Sequence, residues 1–434
     1  MTTTLDPARE QPQAASRWRH ALGTWRHAPV WLLRGFSGRE KRPALARVRI
    51  AGFVVLGLQL VGLMLWSDVL ASRFALTWDF SIYHQAWWLI EHGNLNPYDT
   101  LNTIPFWSSH GELLLWPLAL IGWVWPHAVT MLWLQDLATV AAEAVAFGWL
   151  CDLAGISRNG HPRHMSSILA GVGLLLLVLD PWVYWSDSFD FHFEMVGLLF
   201  VLLVARSLYR NAATRRLWLW VALALASGDV VATYLLGVGL GAILAGKRWR
   251  RAGTLVAGAA IAWTAVLTLI GANKGSGLVS GYGYLAVAAG VGVPLHVSLG
   301  QIAGGVLRHP LHVLSVLWDR RLNLYGAVAP AGIIGAFFPW VLPLALLVFA
   351  ANALQRYKLF IVPGFQDAPF FLLVPVGTIG ILSALTRRVG KIGVVAALLV
   401  AINVAAWGAL WLSRTAGQWL TVSPASAAVL ASIR

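Results

Sequence analysis

Long stretches of this chain carry almost no charge, and no other feature limits its fold as much. Residues 50–70, 368–385 and 391–412 are apolar over 18 to 22 residues each, and a helix crosses a bilayer in about 20. Inside lipid every backbone polar group needs a partner within the protein, so a continuous apolar run of that length must be helical. Of 434 residues, 58% are hydrophobic and 12% charged, against about 25% charged in a soluble domain. A soluble enzyme and a disordered chain are both excluded. The single cysteine, Cys151, rules out an intramolecular disulfide and any Cys-based metal cluster. The expected fold class is all-α, a polytopic α-helical integral membrane protein.

Crossings are expected at 50–70, 128–154, 166–184, 195–209, 217–227, 230–246, 252–271, 327–337, 340–354, 368–385 and 391–412, eleven in all. The stretch 112–125 is short, is broken by Pro117 and bounded by Pro126, and reads as re-entrant or interfacial. The chain then divides into a basic segment 1–49, a membrane domain 50–412 with long outer loops 71–127 and 272–325, and an outer tail 413–434. In the first segment, Pro29–Phe36 either lies flat on the inner membrane surface or belongs to a disordered basic tail.

Charge placement sets the orientation. With the N-terminus in the cytoplasm, the inner segments 1–49, 155–165, 206–216, 247–251 and 386–391 hold 23 of the 32 Arg and Lys, as the positive-inside rule requires. The basic excess is therefore a topology signal, and no nucleic-acid partner is expected. The acids do the opposite: twelve of 18 fall at or beyond outer span ends, namely Asp68, Asp79, Glu91, Asp99, Glu112, Asp180, Asp187, Asp190, Glu194, Asp229, Asp319 and Asp367. Acids contribute little to topology, and carboxylates at the membrane edge are costly unless hydrated or paired. Their concentration on one face points to a polar cavity opening there.

Several constellations lie on that face. In Trp78-Asp79-Phe80-Ser81-Ile82-Tyr83-His84-Gln85-Ala86-Trp87-Trp88, helical spacing puts Asp79, Tyr83 and Ala86 on one side. Asp79 is either a helix cap or a functional carboxylate, acting as a general base or holding an acceptor hydroxyl. His110 and Glu112 form an H-x-E pair without the rest of a zinc-hydrolase pattern. In Asp187-Ser188-Phe189-Asp190-Phe191-His192-Phe193-Glu194, an extended backbone projects Asp190, His192 and Glu194 to one side. That geometry suits a divalent cation, sugar hydroxyls or protons, or else the segment is a solvated loop with aromatic anchors. Ser227-Gly228-Asp229 reverses the chain and delivers Asp229 to the same face.

Asp136 and Glu143 share one helix face inside a span, as a proton path or as groups bonded within the bundle. His309-Pro310 opens an amphipathic helix expected to lie along the interface. Arg320, Arg321, Arg356 and Lys358 are among the few outer bases, placed for a phosphate or for ordinary anionic headgroups. The run Gly237-Val238-Gly239-Leu240-Gly241 lies mid-span and serves close helix packing.

These residues resemble a bacterial multi-pass membrane family known as domain of unknown function 2079, which is similar to the GT-C glycosyltransferase superfamily. Its pattern D-[LF]-x-x-[FY]-x-Q-A-x-W is matched from Asp79 to Trp88, and F-D-F-H-x-E from Phe189 to Glu194. Elements like G-D-H-F-x-P, K-E-D and H-Y-x-x-P correspond in part to Ser108–Glu112, Ser227–Asp229 and Gln366–Pro369, without the lysine and the histidine. The resemblance covers about residues 70–385.

It implies a GT-C-like fold and transfer of a sugar from a polyprenyl-phosphate donor to an envelope acceptor at the outer face of the inner membrane. Asp79 would be the base. Tyr83, Gln85, His110, Glu112, Asp190, His192, Glu194, Asp229 and Asp367 would bind substrate or a divalent cation, and Arg320, Arg321, Arg356 and Lys358 the lipid phosphate. Such proteins continue into an outer soluble domain, whose entry Thr421–Leu430 resembles, so the chain reads as truncated or naturally short. A transporter of a lipid-linked substrate and a non-catalytic lipid-binding scaffold are the competing expectations.

Overall fold

The computed structural model describes residues 43–73, 75–108, 111–155, 163–211, 215–270, 281–287, 299–356 and 365–419. In chain order the helices are α1 Pro43–Ser72, α2 Trp78–Glu91, α3 Leu115–Ala119, α4 Val129–Gly155, α5 Arg163–Val178, α6 Pro181–Phe189, α7 Phe193–Tyr209, α8 Arg215–Ala226, α9 Asp229–Ala245, α10 Lys247–Ile270, α11 Leu299–Arg308, α12 Pro310–Asp319, α13 Arg321–Val328, α14 Leu342–Ala353, α15 Ala368–Val389 and α16 Lys391–Trp419. One antiparallel ribbon, β1 Tyr98–Asp99 with β2 Ile104–Pro105, pairs Tyr98 with Pro105. Among the described residues the fold is all-α apart from that ribbon.

Among the described residues, six helical segments are long and apolar enough to cross a membrane: Ala46–Ser72, Val129–Gly155, Met165–Phe189, Lys247–Ile270, Ala368–Val389 and Ile392–Leu410. The chain is a multi-pass membrane protein in contact with lipid. The other expected crossings fall on shorter elements. The 17 residues of α7 and α9 rise ~26 Å, close to the ~30 Å hydrocarbon core, whereas α8 and α14 have 12 residues each. The stretch 112–125 forms only α3 and a 3-10 turn, Leu120–Trp123, far too short to cross.

The structure corrects several boundaries. The helix α1 runs through residue 50 from Pro43, because proline suits a helix's first turn and Ala44, Leu45 and Ala46 are good helix formers. At the other end α16 continues past 412 to Trp419. The expected crossing 327–337 is not a helix: α13 ends at Val328, and the chain turns through Pro330 and Gly332 (φ 84°) into the 3-10 turn Ile333–Phe337. There Gly335 packs against the backbone of α15 at Val374, where no Cβ would fit. The run 247–251 is the start of α10, not a loop, because Gly246 at φ 144° completes the reversal in one residue. Residues 1–42, with Pro29–Phe36, and 420–434, with Thr421–Leu430, lie outside the described residues.

Of the six long segments the most enclosed are those of α4 and α15, which pack on each other with α5 and α7 against both and α1 against α4, while α9 packs on α7, α10 and α14. The glycine run on α9 brings three neighbours close. A Cβ on Gly239 would lie 2.7 Å from the Gly253 carbonyl of α10, and one on Gly237 would lie 2.6 Å from Leu344 of α14. The third, Gly241, lies against the backbone of Trp340. Helix polarity gives the bundle two ends. Asp229, Glu194 and Asp367 open α9, α7 and α15, while Arg206 and Arg387–Arg388 close α7 and α15 and Lys247 opens α10 directly after α9. At the basic end Arg206 and Arg210 both reach Asp152, at 3.0 and 2.5 Å.

Candidate functional site

The acid-bearing end is assembled from helix starts. Thr77 precedes α2 in an extended conformation and its own side chain does not cap the helix. Asp190 does so from another part of the chain: its Oδ2 accepts the Thr77 N–H at 3.2 Å and the Thr77 hydroxyl at 2.5 Å, and its carboxylate also takes the Phe80 N–H. Burial raises the Asp190 pKa, and these donors oppose the shift. Asp79, in the first turn of α2, is thus relieved of the capping role. Its carboxylate points at His192, with Oδ2 3.6 Å from Nε2, and its side chain is 40% exposed.

His192 precedes α7 in extended backbone and is buried. Gln135 of α4 fixes that segment. Its Oε1 accepts the His192 N–H at 2.6 Å, and its Nε2 donates to the carbonyls of Asp187 and Asp190 at 2.7 and 2.8 Å. The imidazole therefore lies between Asp79 and Glu194, whose Oε2 is 4.0 Å from Nδ1. Phe189 stacks on its face at 6.1 Å.

Tyr83 is one turn along α2 from Asp79, buried among Phe106, Phe191 and Phe193 at 5.4 to 5.8 Å. Its hydroxyl donates to Glu112 Oε1 at 3.3 Å. Burial pushes its pKa well up, and the nearby charges of Glu112, Glu194, Asp79 and Asp229 push the same way, so it remains a neutral donor. Glu112 in turn lies against the turn between α8 and α9. Leu114 N–H donates to the Ala226 carbonyl at 2.8 Å, and Gly228 at φ 141° faces the Glu112 side chain. On the far side, Tyr234 of α9 donates to the Gln366 carbonyl at 3.0 Å and feels the charges of Glu194, Asp367 and Asp229. Asp367 accepts from Asn352 Nδ2 at 2.6 Å.

The structure therefore brings Asp79, Tyr83, Glu112, His192, Glu194, Asp229 and Asp367 to one place from separate elements. Asp79, Glu194 and Asp229 lie in first turns and Asp367 at an N-cap, where the positive end of the helix dipole favours an anion. Among the described residues no group of three or more His, Cys, Asp or Glu side chains is arranged to hold a metal ion.

Other expected site residues sit differently. Asp190 positions α2, as described above. Gln85 holds the ribbon loop, with Nε2 donating to Thr100 Oγ1 at 3.0 Å and Oε1 accepting the Thr100 N–H at 3.1 Å. Arg320 caps the C-terminus of α14, donating to the carbonyls of Ala353 and Gln355. Arg321 stacks on Trp318 at 4.4 Å and donates to its carbonyl at 2.7 Å. The Arg356 side chain is exposed and its backbone N–H reaches Gly281. His110 and Lys358 lie outside the described residues. Of the outer acids, Asp99 closes an Asx turn and Asp180 caps α6.

Gln135, Tyr234, Asn352 and Thr77 were not singled out from the sequence. Gln135 and Asn352 had a signal, as uncharged polar residues inside predominantly apolar helices. Tyr234 and Thr77 had none, because their roles depend on chain segments far away in sequence.

The family described as Predicted membrane protein (DUF2079) matches residues 70–423. No curated protein and no solved structure matches the chain.

Proposed function

The chain belongs to the DUF2079 family of predicted membrane proteins, and from that premise we propose that it is a glycosyltransferase acting at the outer face of a bacterial inner membrane. The N-terminus lies in the cytoplasm and the acid-bearing end faces outward, in keeping with the bases at the opposite end. The donor is a polyprenyl-phosphate-linked sugar and the acceptor an envelope hydroxyl. The reading rests on one observation: five acids from separate elements meet around His192, Tyr83 and Tyr234, and the most open of those paired with His192 is Asp79. Acids gathered at such cost at a membrane edge indicate a site.

In the proposed reaction Asp79 takes the proton of the acceptor hydroxyl. The acceptor oxygen forms a bond to the anomeric carbon as the bond from that carbon to the phosphate oxygen breaks, and the electron pair leaves on the lipid phosphate. His192 orients Asp79, while Tyr83, Glu112, Glu194, Asp229 and Asp367 contact sugar hydroxyls. Two features support a nearby place for the lipid. The end of α14 carries both Asn352, bonded to Asp367, and the Ala353 carbonyl, bonded to Arg320. Beyond Arg320, α12 and α13 expose Leu311, Leu314, Trp318 and Leu322, an apolar surface suited to the membrane interface.

The test is purified protein in proteoliposomes, supplied with a panel of polyprenyl-phosphate sugars and an envelope extract as acceptor, with and without a chelator. Transfer from at least one donor is expected. Absence of transfer and of donor hydrolysis across the panel contradicts the proposal.

A further inference from the structure

Apart from the acid cluster, a polar seam enters the bundle between three helices. Gln59 and Ser67 lie on one face of α1; Asp136, Thr139 and Glu143 lie on one face of α4; Asp187 and Tyr184 of α6 face them, with Asp180 capping α6. Because α1 and α4 run antiparallel, the seam has order. Ser67 Oγ donates to both oxygens of Asp136, at 3.1 and 2.9 Å. Eight residues back along α1, a helix rise of ~12 Å, Gln59 Nε2 donates to Glu143 Oε1 at 3.2 Å.

Asp187 joins the two levels. It accepts from the Thr139 hydroxyl at 2.6 Å, and its carboxyl hydrogen-bonds the carboxyl of Asp136. Ionised carboxylates only accept, so a bond between two carboxyls requires one proton held between them. Glu143 supplies a second, independent observation. It is wholly buried, and its Oε2 has no hydrogen-bond partner among the described residues. Asp180 Oδ2, Ser186 Oγ and Gln59 Oε1 are likewise buried and unpartnered there. The charged groups acting on Glu143 are Asp187 and Asp180, and those acting on Asp136 are Asp187 and Asp68. A carboxylate enclosed by acids in this setting is relieved by taking a proton.

We propose that the seam is a proton-binding site, with one proton shared by Asp136 and Asp187 and a second on Glu143, both exchanging with water at the acid-bearing end. Asp68, half-buried beside Ser67 and acting on Asp136, marks the way out. Each uptake forms one carboxyl O–H bond and converts one hydronium ion to water; release reverses it. The site is separate from the acid cluster and does not depend on sugar transfer.

The test is infrared spectroscopy of the purified protein in lipid bilayers at neutral pH, following the carbonyl stretch of protonated carboxyl groups. The wild type is expected to show this band, and transfer to heavy water is expected to shift it. Glu143→Gln, which keeps the Gln59 contact, and Asp136→Asn are each expected to remove one carboxyl's share of it. A wild type with no such band overturns the site whether or not the variants fold. A band that both variants leave unchanged overturns the assignment, and a band that heavy water never shifts overturns the exchange with the acid-bearing end.

Discussion

Asp79 and Asp190 look alike in the sequence, each an acid at an aromatic-rich junction, yet the fold uses them differently. Asp190 holds the start of α2 through Thr77 and Phe80, whereas Asp79 faces His192. Replacing Asp190 by Asn turns one acceptor into a donor facing N–H or O–H groups. Asp190→Asn is therefore expected to cost about 1–3 kcal/mol, read as a lower unfolding midpoint in detergent, with faster amide exchange at the start of α2. His84 provides a pH test. Burial lowers its pKa, against the opposing charge of Glu91, so the folded protein favours the neutral ring. As pH falls below the ordinary histidine value the unfolded chain gains the proton first, so this contribution is present above that value and is lost as pH falls towards the lowered one. Thermal stability measured from neutral to mildly acidic pH should fall more steeply in wild type than in His84→Gln; parallel curves would contradict the assignment. Candidate residues were legible in the sequence as acids gathered on one face. Their division of roles was not, because a cap supplied from over a hundred residues away leaves no local signal.

Among the elements, glycine decides how closely α9 approaches its neighbours. Gly239→Ala places a Cβ 2.7 Å from the backbone of α10, and forcing those helices apart is expected to cost about 1–3 kcal/mol. Gly62→Ala on α1 meets nothing within 4 Å and should be neutral or stabilising by up to ~1 kcal/mol through helix propensity. Unfolding of the two variants side by side checks the contrast, and equal midpoints would contradict it. Long helices were readable from apolar length alone, and the packing role of the glycine run from its position mid-span. The break at 327–337 was readable only in part: Pro330 and Gly332 are breakers within the apolar run, but the close approach of Gly335 to the α15 backbone has no local signal. The helical start at Lys247 was missed for the opposite reason, since a basic run at a membrane edge looks like a loop until Gly246 is seen to make the whole turn.

At the level of the whole molecule, helix polarity turns scattered acids into one site. Alternate crossings place the starts of α7, α9 and α15 at the same end, where α2 and Glu112 close over them. That convergence explains why a chain with so few charges keeps acids there, and it ties the family's membrane architecture to the proposed transfer chemistry. The most direct measurement is sugar transfer in proteoliposomes by wild type and Asp79→Asn, with donor binding followed in parallel. The account predicts that the variant folds, binds the donor as wild type does, and loses transfer by about 100-fold or more, the usual scale of a positioned base. Transfer at the wild-type rate by a folded Asp79→Asn protein would contradict it.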